Sequence, residues 1–182
     1  MKNRALIVID VQNDYFAGGA CELDHPVETA EVIGKLIRGF RERKQPVIYI
    51  QHVADKTSGA MAEGSFGVQI HESVAPMEGE PVLIKHVPNS FHETGLKELL
   101  QEKGIKELVI CGMMSHMCVD TTTRAGFDLG FAITVAQDAC TTMPLTWNGV
   151  TVPASTVHQV SMAALADWFA KVESAKQVLT ED

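Results

Sequence analysis

The sequence predicts an α/β protein of three layers (α/β/α), in which helices cover both faces of a doubly wound, mainly parallel sheet of five or six strands. Segments with strand character alternate with segments of helical periodicity along the chain, which is typical of parallel sheets with crossover helices. The strand candidates are nearly unbroken apolar runs, as expected for strands buried on both faces. No linker, repeat or low-complexity segment interrupts the pattern. We therefore expect a single domain over residues 1–182.

Short apolar runs rich in β-branched residues predict the strands. The first run ends at Asp10, and the third run contains Lys85 near its end. The predicted strands are residues 5–10, 46–50, 81–86, 107–112 and 131–136, with a short sixth strand at residues 175–179.

Helical periodicity fills the intervals between these strands. Two predicted helices begin near Pro26 and near Leu96, and two more cover residues 119–129 and 153–172. The last of these helices has an apolar face that includes Val160 and Trp168. The connection at residues 52–80 has no regular pattern. Connections of this length in a compact domain are usually functional, so we expect an active-site or interface loop there.

Composition and charge narrow the classes of partner. The chain of 182 residues has a net charge of −8 and a pI of about 5.3, which argues against a nucleic acid or an anionic membrane as partner. No apolar run approaches the roughly 18–20 residues of a membrane span. The four cysteines form no C-x-x-C motif. A reduced, cytoplasmic protein is therefore expected rather than a disulfide scaffold or a zinc site.

Three reactive side chains follow the predicted strands. Asp10 ends the first strand, Lys85 lies at the end of the third, and Cys118 follows the fourth after a short loop. The carboxyl ends of parallel strands share one edge of a sheet, so these groups are expected to form one site. A helix beginning at Cys118 would favour the thiolate form of its side chain. Simpler interpretations remain: a cysteine that fills the core, a capping aspartate and a solvated lysine.

The seven histidines form no short metal-ligand motif such as His-x-His or His-Glu-x-x-His. His52 and Asp55 follow the second strand without the spacing of a known metal site. We therefore predict neither a metal nor another cofactor.

Three segments together resemble the isochorismatase-like cysteine hydrolases, the superfamily that includes nicotinamidases and N-carbamoylsarcosine amidohydrolase. They are LIVIDVQND at residues 6–14, LIKHVPNSF at residues 83–91 and CGMMSHMCVDTTTRA at residues 111–125. The resemblance implies the strand order 3-2-1-4-5-6. It also implies a catalytic triad of Asp10, Lys85 and Cys118, with a cis peptide bond between Met113 and Met114. The backbone N–H groups of Met114 and Cys118 would then form the oxyanion hole.

Two departures refine the expected activity. The Asp-x-His metal cluster of nicotinamidases is not matched after the second strand, where this chain has His52. Isochorismatases proper lack the nucleophilic cysteine that this chain has in Cys118. The resemblance therefore implies hydrolysis of a C–N (amide) bond in a small molecule through a thioester.

The remaining predictions concern the oligomeric state, the substrate pocket and the alternative functions. The family often forms homodimers or homotetramers, which is implied here too. The expected pocket residues are Asn13, Phe16, Asn89, Phe91 and His116. Two alternatives remain open: isochorismatase-type hydrolysis of a small molecule that is not an amide, and a redox-sensing thiol protein without enzymatic activity.

Overall fold

A sheet of six parallel strands forms the centre of the protein, as a computed structural model describes it for residues 3–180. Its strands are β1 (Arg4–Ile9), β2 (Val47–His52), β3 (Val82–Lys85), β4 (Glu107–Met113), β5 (Ala132–Thr141) and β8 (Lys171–Glu173). Their spatial order is β3-β2-β1-β4-β5-β8, and every neighbouring pair is parallel. The predicted α/β class and the order 3-2-1-4-5-6 are confirmed, with β8 as the sixth strand.

Residues 3–180 contain five α-helices: α1 (Pro26–Glu42), α2 (Leu96–Glu102), α3 (Asp120–Asp128), α4 (Ala154–Trp168) and α5 (Ala175–Thr180). Successive residues of β1 point to opposite faces of the sheet. Leu6 packs into an apolar cluster with residues of α1, whereas Ile7 packs into a second cluster with residues of α2 and α4. Both faces of β1 are thus buried, which explains why its sequence is an unbroken apolar run.

A two-stranded antiparallel hairpin precedes α4. It consists of β6 (Leu145–Trp147) and β7 (Val150–Val152). Trp147 is 77% exposed at its tip. No helix within residues 3–180 combines the length and apolar character that crossing a bilayer requires.

The C-terminal region differs from the prediction. Residues 175–179, expected to be a strand, lie in α5, and the sixth strand is β8 instead. Ser174 and Gln177 explain the helix: Gln177 Oε1 accepts from the Ser174 N–H at 2.9 Å, and Ser174 Oγ accepts from the Gln177 N–H at 3.3 Å. This reciprocal pair is a capping box, which fixes a helix start at Ser174.

The predicted long helix also ends early. The helix α4 stops at Trp168 rather than at residue 172. Val160 and Trp168, expected on its buried face, are 62% and 72% exposed. The face that packs onto the protein contains Val157, Met162 and Leu165 instead. Apolar residues occur all round α4, so periodicity alone did not distinguish its packed face.

The connection between β2 and β3 is anchored to the loop that follows β1. It contains one 3-10 turn, Glu72–Val74, and a bridge that pairs Ile70 with Gln12. The buried Asp14 carboxylate accepts hydrogen bonds from the backbone N–H groups of Met61 and Ala20, at 2.6 and 3.1 Å. The long connection is therefore held against the carboxyl end of β1.

Candidate active site

Asp10, Lys85 and Cys118 meet at the carboxyl edge of the sheet. Asp10 directly follows β1, Lys85 is the last residue of β3, and Cys118 lies in a π-helical turn, Ser115–Val119, after β4. Lys85 Nζ is 2.7 Å from Asp10 Oδ2, and it donates a hydrogen bond to Cys118 Sγ at 3.2 Å. All three side chains are buried. The ammonium group thus contacts both the carboxylate and the thiol.

Local backbone geometry brings the sulfur close to the carboxylate. Asp10 has a positive φ of 51°, a left-handed conformation that aspartate tolerates better than most residues and that turns the chain out of β1. Gly112 has a φ of 129°, and a Cβ at this position would overlap the Ile9 carbonyl oxygen. Glycine therefore lets the end of β4 approach β1 closely, directly before the turn that contains Cys118.

The Lys85 ammonium has two more neighbours. It donates to the Val87 carbonyl oxygen at 3.2 Å, and the Nδ1 atom of His52 lies 3.3 Å from Nζ. Burial and the positive charge of Lys85 lower the pKa of His52 to about 4. A neutral imidazole nitrogen can accept a hydrogen bond from the ammonium, so His52 supports Lys85 in the site.

Gln12 holds His52 in place. Its Oε1 atom accepts from the His52 N–H at 2.8 Å, and its Nε2 atom donates to the carbonyl oxygens of His52 and Val68 at 2.8 and 2.6 Å. The Gln12 side chain has no solvent exposure. Neither Gln12 nor His52 was predicted from the sequence to belong to the site. The available signal was a long amide side chain directly after a buried strand, which needs partners when it is buried.

Burial governs the electrostatics of the site. Desolvation raises the pKa of the Asp10 carboxyl group, although the Lys85 charge opposes this effect. Desolvation and the negative charge of Asp10 raise the pKa of the Cys118 thiol to about 12, again against Lys85. The expectation that a helix start would favour the thiolate is therefore wrong for the protein without substrate. Cys118 lies in the turn before the first residue of α3, and desolvation is the largest influence on its pKa.

The turn before Cys118 contains the residues predicted to form an oxyanion hole. The peptide bond between Met113 and Met114 is cis. The Met114 carbonyl oxygen accepts from the N–H groups of Met117 and Val119, at 3.1 and 3.2 Å. These bonds fold residues 114–119 into a compact turn.

Two of the predicted pocket residues lie in the loop after β1. Asn13 Nδ2 donates to the Phe66 carbonyl oxygen at 3.0 Å. The Phe16 ring stacks on His71, with ring centroids 3.7 Å apart, and its side chain belongs to the core. Both residues thus connect this loop to the long connection between β2 and β3.

The other predicted pocket residues lie on separate elements. Asn89 Oδ1 accepts from the Phe91 N–H at 2.9 Å, and Phe91 stacks on Phe131. Asn89 and Phe91 line a surface cleft of about 350 Å³ between α2 and α3. His116 Nδ1 lies 2.6 Å from Thr142 Oγ1, which connects the turn containing Cys118 to the end of β5.

One group of side chains in the described part of the chain could hold a metal ion. A carboxylate oxygen of Asp10, a ring nitrogen of His52 and the Cys118 sulfur all lie within 4.8 Å of one another. Asp55 is outside this group, and its carboxylate is exposed and accepts hydrogen bonds from Thr57.

The order of the sheet and the buried thiol, carboxylate and ammonium at its carboxyl edge define an α/β protein equipped for nucleophilic chemistry. A family model of the isochorismatase domain matches residues 4–177. The chain belongs to the isochorismatase family of hydrolases, as the resemblance of its three motifs implied.

Similarity to individual proteins covers nearly the whole chain. The uncharacterized isochorismatase family protein YddQ of Bacillus subtilis is 46% identical over 179 residues, which are 96% of this chain and 98% of that protein. The crystal structure of an isochorismatase-type hydrolase from Oleispira antarctica has a TM-score of 0.94 at 45% identity, and covers 97% of this chain and 95% of the other. The nicotinamidase of Escherichia coli K12 is 26% identical over 215 aligned positions, with 92% and 98% covered.

Proposed function

We propose that the protein hydrolyses an amide C–N bond of a small molecule, with Cys118 as nucleophile, Asp10 as general acid and base, and Lys85 as the group that stabilises their negative charges. The observation that carries this proposal is the position of the Lys85 ammonium, 2.7 Å from Asp10 and 3.2 Å from Cys118 in a buried site. A positive charge next to both groups stabilises the negative charge on the carboxylate before the proton moves and on the sulfur after it has moved.

Acylation begins with proton transfer from the Cys118 thiol to the Asp10 carboxylate. The thiolate attacks the substrate carbonyl carbon, and the oxyanion accepts hydrogen bonds from the N–H groups of Met114 and Cys118. Such donors contribute about 3–4 kcal/mol each to a transition state. The C–N bond then breaks, and Asp10 returns its proton to the departing amine or ammonia. The product of this half-reaction is a thioester on Cys118.

Deacylation uses the same groups with water as nucleophile. Asp10 accepts a proton from a water molecule as the oxygen attacks the thioester carbonyl. The C–S bond breaks, the carboxylic acid departs, and the proton on Asp10 returns to Cys118. A carboxyl group with a raised pKa suits both roles, because it holds a proton more readily than an exposed aspartate.

Two observations favour an amide as the substrate of this protein. An amine leaving group must receive a proton, and Asp10 lies where it can donate the proton that it took from the thiol. In addition, the chain is similar over most of its length to a protein named as a nicotinamidase.

Trapping the acyl group on Cys118 tests the proposal. The intact protein is mixed with a library of small amides, quenched in acid after short intervals, and weighed by mass spectrometry. We expect a mass increase equal to the acyl group with at least one substrate, located on the peptide that contains Cys118. The same substrate should release its amine at a steady rate.

The matched controls are Cys118→Ala and Cys21→Ala. The first variant should lose both the adduct and turnover, whereas the second removes a half-buried thiol outside the site and should keep both. Turnover of an amide by Cys118→Ala at the wild-type rate would refute the proposed nucleophile.

A further inference from the structure

The Lys85 ammonium lies inside a cage formed by three side chains that can ligate metals, those of Asp10, His52 and Cys118. Its Nζ atom lies 2.7 Å from Asp10 Oδ2, 3.2 Å from Cys118 Sγ and 3.3 Å from His52 Nδ1. The donor atoms of these three groups lie within 4.8 Å of one another. A carboxylate oxygen, an imidazole nitrogen and a sulfur are the ligand types that zinc takes in proteins. The lysine therefore lies where a cation held by these donors would lie.

We propose that Asp10, His52 and Cys118 form a binding site for a single thiophilic divalent cation such as Zn²⁺, which competes with the Lys85 ammonium. Tetrahedral zinc has bonds of about 2.0–2.3 Å, so its ligand atoms lie about 3.3–3.7 Å apart. Because the donor atoms lie up to 4.8 Å apart, they need to approach one another by up to about 1.1–1.5 Å to reach this geometry. This approach requires rotation of two side chains, that of His52 at the last position of β2 and that of Cys118 within the π-helical turn after β4.

A second feature also points to a cation. The Asp10 carboxylate is completely buried, and neither of its oxygens makes a well-aligned hydrogen bond within residues 3–180. Its close contact is the ion pair with Lys85. The Lys85 charge is the strongest favourable partner of this carboxylate, ahead of weaker interactions with the Cys118 side chain and the His52 backbone. A divalent cation supplies that charge as well as the ammonium does.

Metal binding excludes the ammonium from the centre of the cage. The Cys118 thiol gives up its proton to solvent when the sulfur–metal bond forms, so binding should strengthen as the pH rises. The titratable groups at the cage are Asp10, His52, Lys85 and Cys118. Nearby, the buried Tyr15 interacts with Asp10 and Cys118, and His86 with His52. Because the nucleophile is then coordinated, the metal should inhibit the hydrolysis. This consequence rests on the proposed function, whereas the binding itself does not.

Cadmium titration of Lys85→Met tests the site without any enzymatic assay. Methionine fills the space of the lysine stem but removes the charge that competes with the metal. We expect one equivalent of Cd²⁺ to bind, with the ultraviolet absorption of a single thiolate–cadmium bond. Wild-type protein should bind Cd²⁺ about 100-fold or more weakly, since a like charge about 4 Å from a buried cation strongly opposes it.

Two variants in the Lys85→Met background identify the ligands. Adding Cys118→Ala should remove the thiolate absorption, and adding His52→Ala should weaken binding by about 10-fold or more. Adding His92→Ala, which changes an exposed histidine, should alter neither. Absorption that survives Cys118→Ala, or that is unaffected by His52→Ala, would overturn the proposed site.

The wild-type protein provides the deciding measurement if Lys85→Met does not fold. Its Cd²⁺ titration at pH 8–9 should give weaker binding of one equivalent with the same absorption, lost in Cys118→Ala. No thiolate–cadmium absorption at millimolar Cd²⁺ would refute the site. Loss of amide hydrolysis in every assay, with cadmium binding intact, would instead refute the proposed function alone.

Discussion

At the scale of single residues, the charge of Asp10 has opposite effects on its two neighbours. It forms an ion pair with the Lys85 ammonium, and it raises the pKa of the Cys118 thiol. Burial raises the pKa of that thiol even more than Asp10 does, so the sulfur is neutral at physiological pH. A neutral thiol is a much weaker nucleophile than a thiolate.

Alkylation of Cys118 measures this protonation state. Below its pKa the thiolate fraction of a cysteine rises tenfold for each pH unit. Because burial and Asp10 raise the pKa of Cys118 to about 12, the rate of its reaction with iodoacetamide should increase about tenfold per unit from pH 7 to pH 9 without a plateau. Asp10→Asn should react faster at each pH, since the substitution removes a negative charge that opposes the thiolate.

The Cys118→Ala variant is the control, because it measures how fast the remaining cysteines, including the half-buried Cys21, react with iodoacetamide. The rate can be followed by peptide mass spectrometry. A plateau at or below pH 8 would indicate a reactive, sensor-type thiolate and would contradict the structure. A slower reaction in Asp10→Asn would contradict the inferred effect of the carboxylate.

The positions of these residues could be predicted, but their protonation could not. Asp10 and Lys85 end apolar runs, and parallel strands bring such ends together, so a shared site followed from the sequence. The pKa of Cys118 depends on how completely the loops exclude water from the sulfur. That exclusion comes from segments distant in sequence, which residue spacing does not describe.

At the scale of secondary-structure elements, Gln12 joins three segments that support the site. It bonds both the N–H and the carbonyl group of His52 at the end of β2, and also the carbonyl group of Val68 in the long connection. Gln51 donates to the same Val68 oxygen at 2.8 Å from a partly exposed position. The two glutamines therefore share one acceptor, but only Gln12 satisfies His52.

Replacing each glutamine by alanine separates these roles. Gln12→Ala removes the hydrogen bonds to two partly buried backbone groups of His52, at about 1–2 kcal/mol each, so we expect the free energy of unfolding to fall by about 2–4 kcal/mol. Gln51→Ala leaves Val68 bonded to Gln12 and should cost about 1 kcal/mol or less. Urea unfolding measures both changes. Equal losses in the two variants would show that Gln12 does not hold the end of β2.

Elements in the first two thirds of the chain were easier to predict than those at the end. The strand β1 shows an unbroken apolar run because both of its faces are buried. The strand β8 has only three residues, and its Val172 continues the apolar period of α4. The capping box of Ser174 and Gln177 was readable as a helix start, but the apolar residues after it were interpreted as a strand.

At the scale of the whole molecule, the C-terminal helix closes the fold over its first elements. The helix α5 packs against α1, and Val178 lies in the apolar cluster that α1 forms with the sheet. The Arg43 guanidinium donates to the Leu179 carbonyl oxygen at 2.7 Å, and that of Arg4 donates to the Val178 carbonyl oxygen at 3.3 Å. The expected homodimer or homotetramer stays a prediction.

Two glycines in α1 test how tightly α5 is seated. A methyl group at Gly39 would overlap Leu179 Cδ2, whereas a methyl group at Gly34 would lie 3.4 Å from the flexible Arg38 guanidinium. Alanine stabilises a helix relative to glycine by about 0.5–1 kcal/mol, so Gly34→Ala should raise the free energy of unfolding. Gly39→Ala should lower it, since overpacking costs about 1–3 kcal/mol and Arg43 holds the Leu179 backbone in place.

The double variant Gly39→Ala/Leu179→Ala is the control, because it removes the overlap. It should lose less stability than Leu179→Ala alone. Equal stabilisation by both single substitutions, measured by urea unfolding, would show that the Leu179 side chain or α5 as a whole shifts to admit the methyl group.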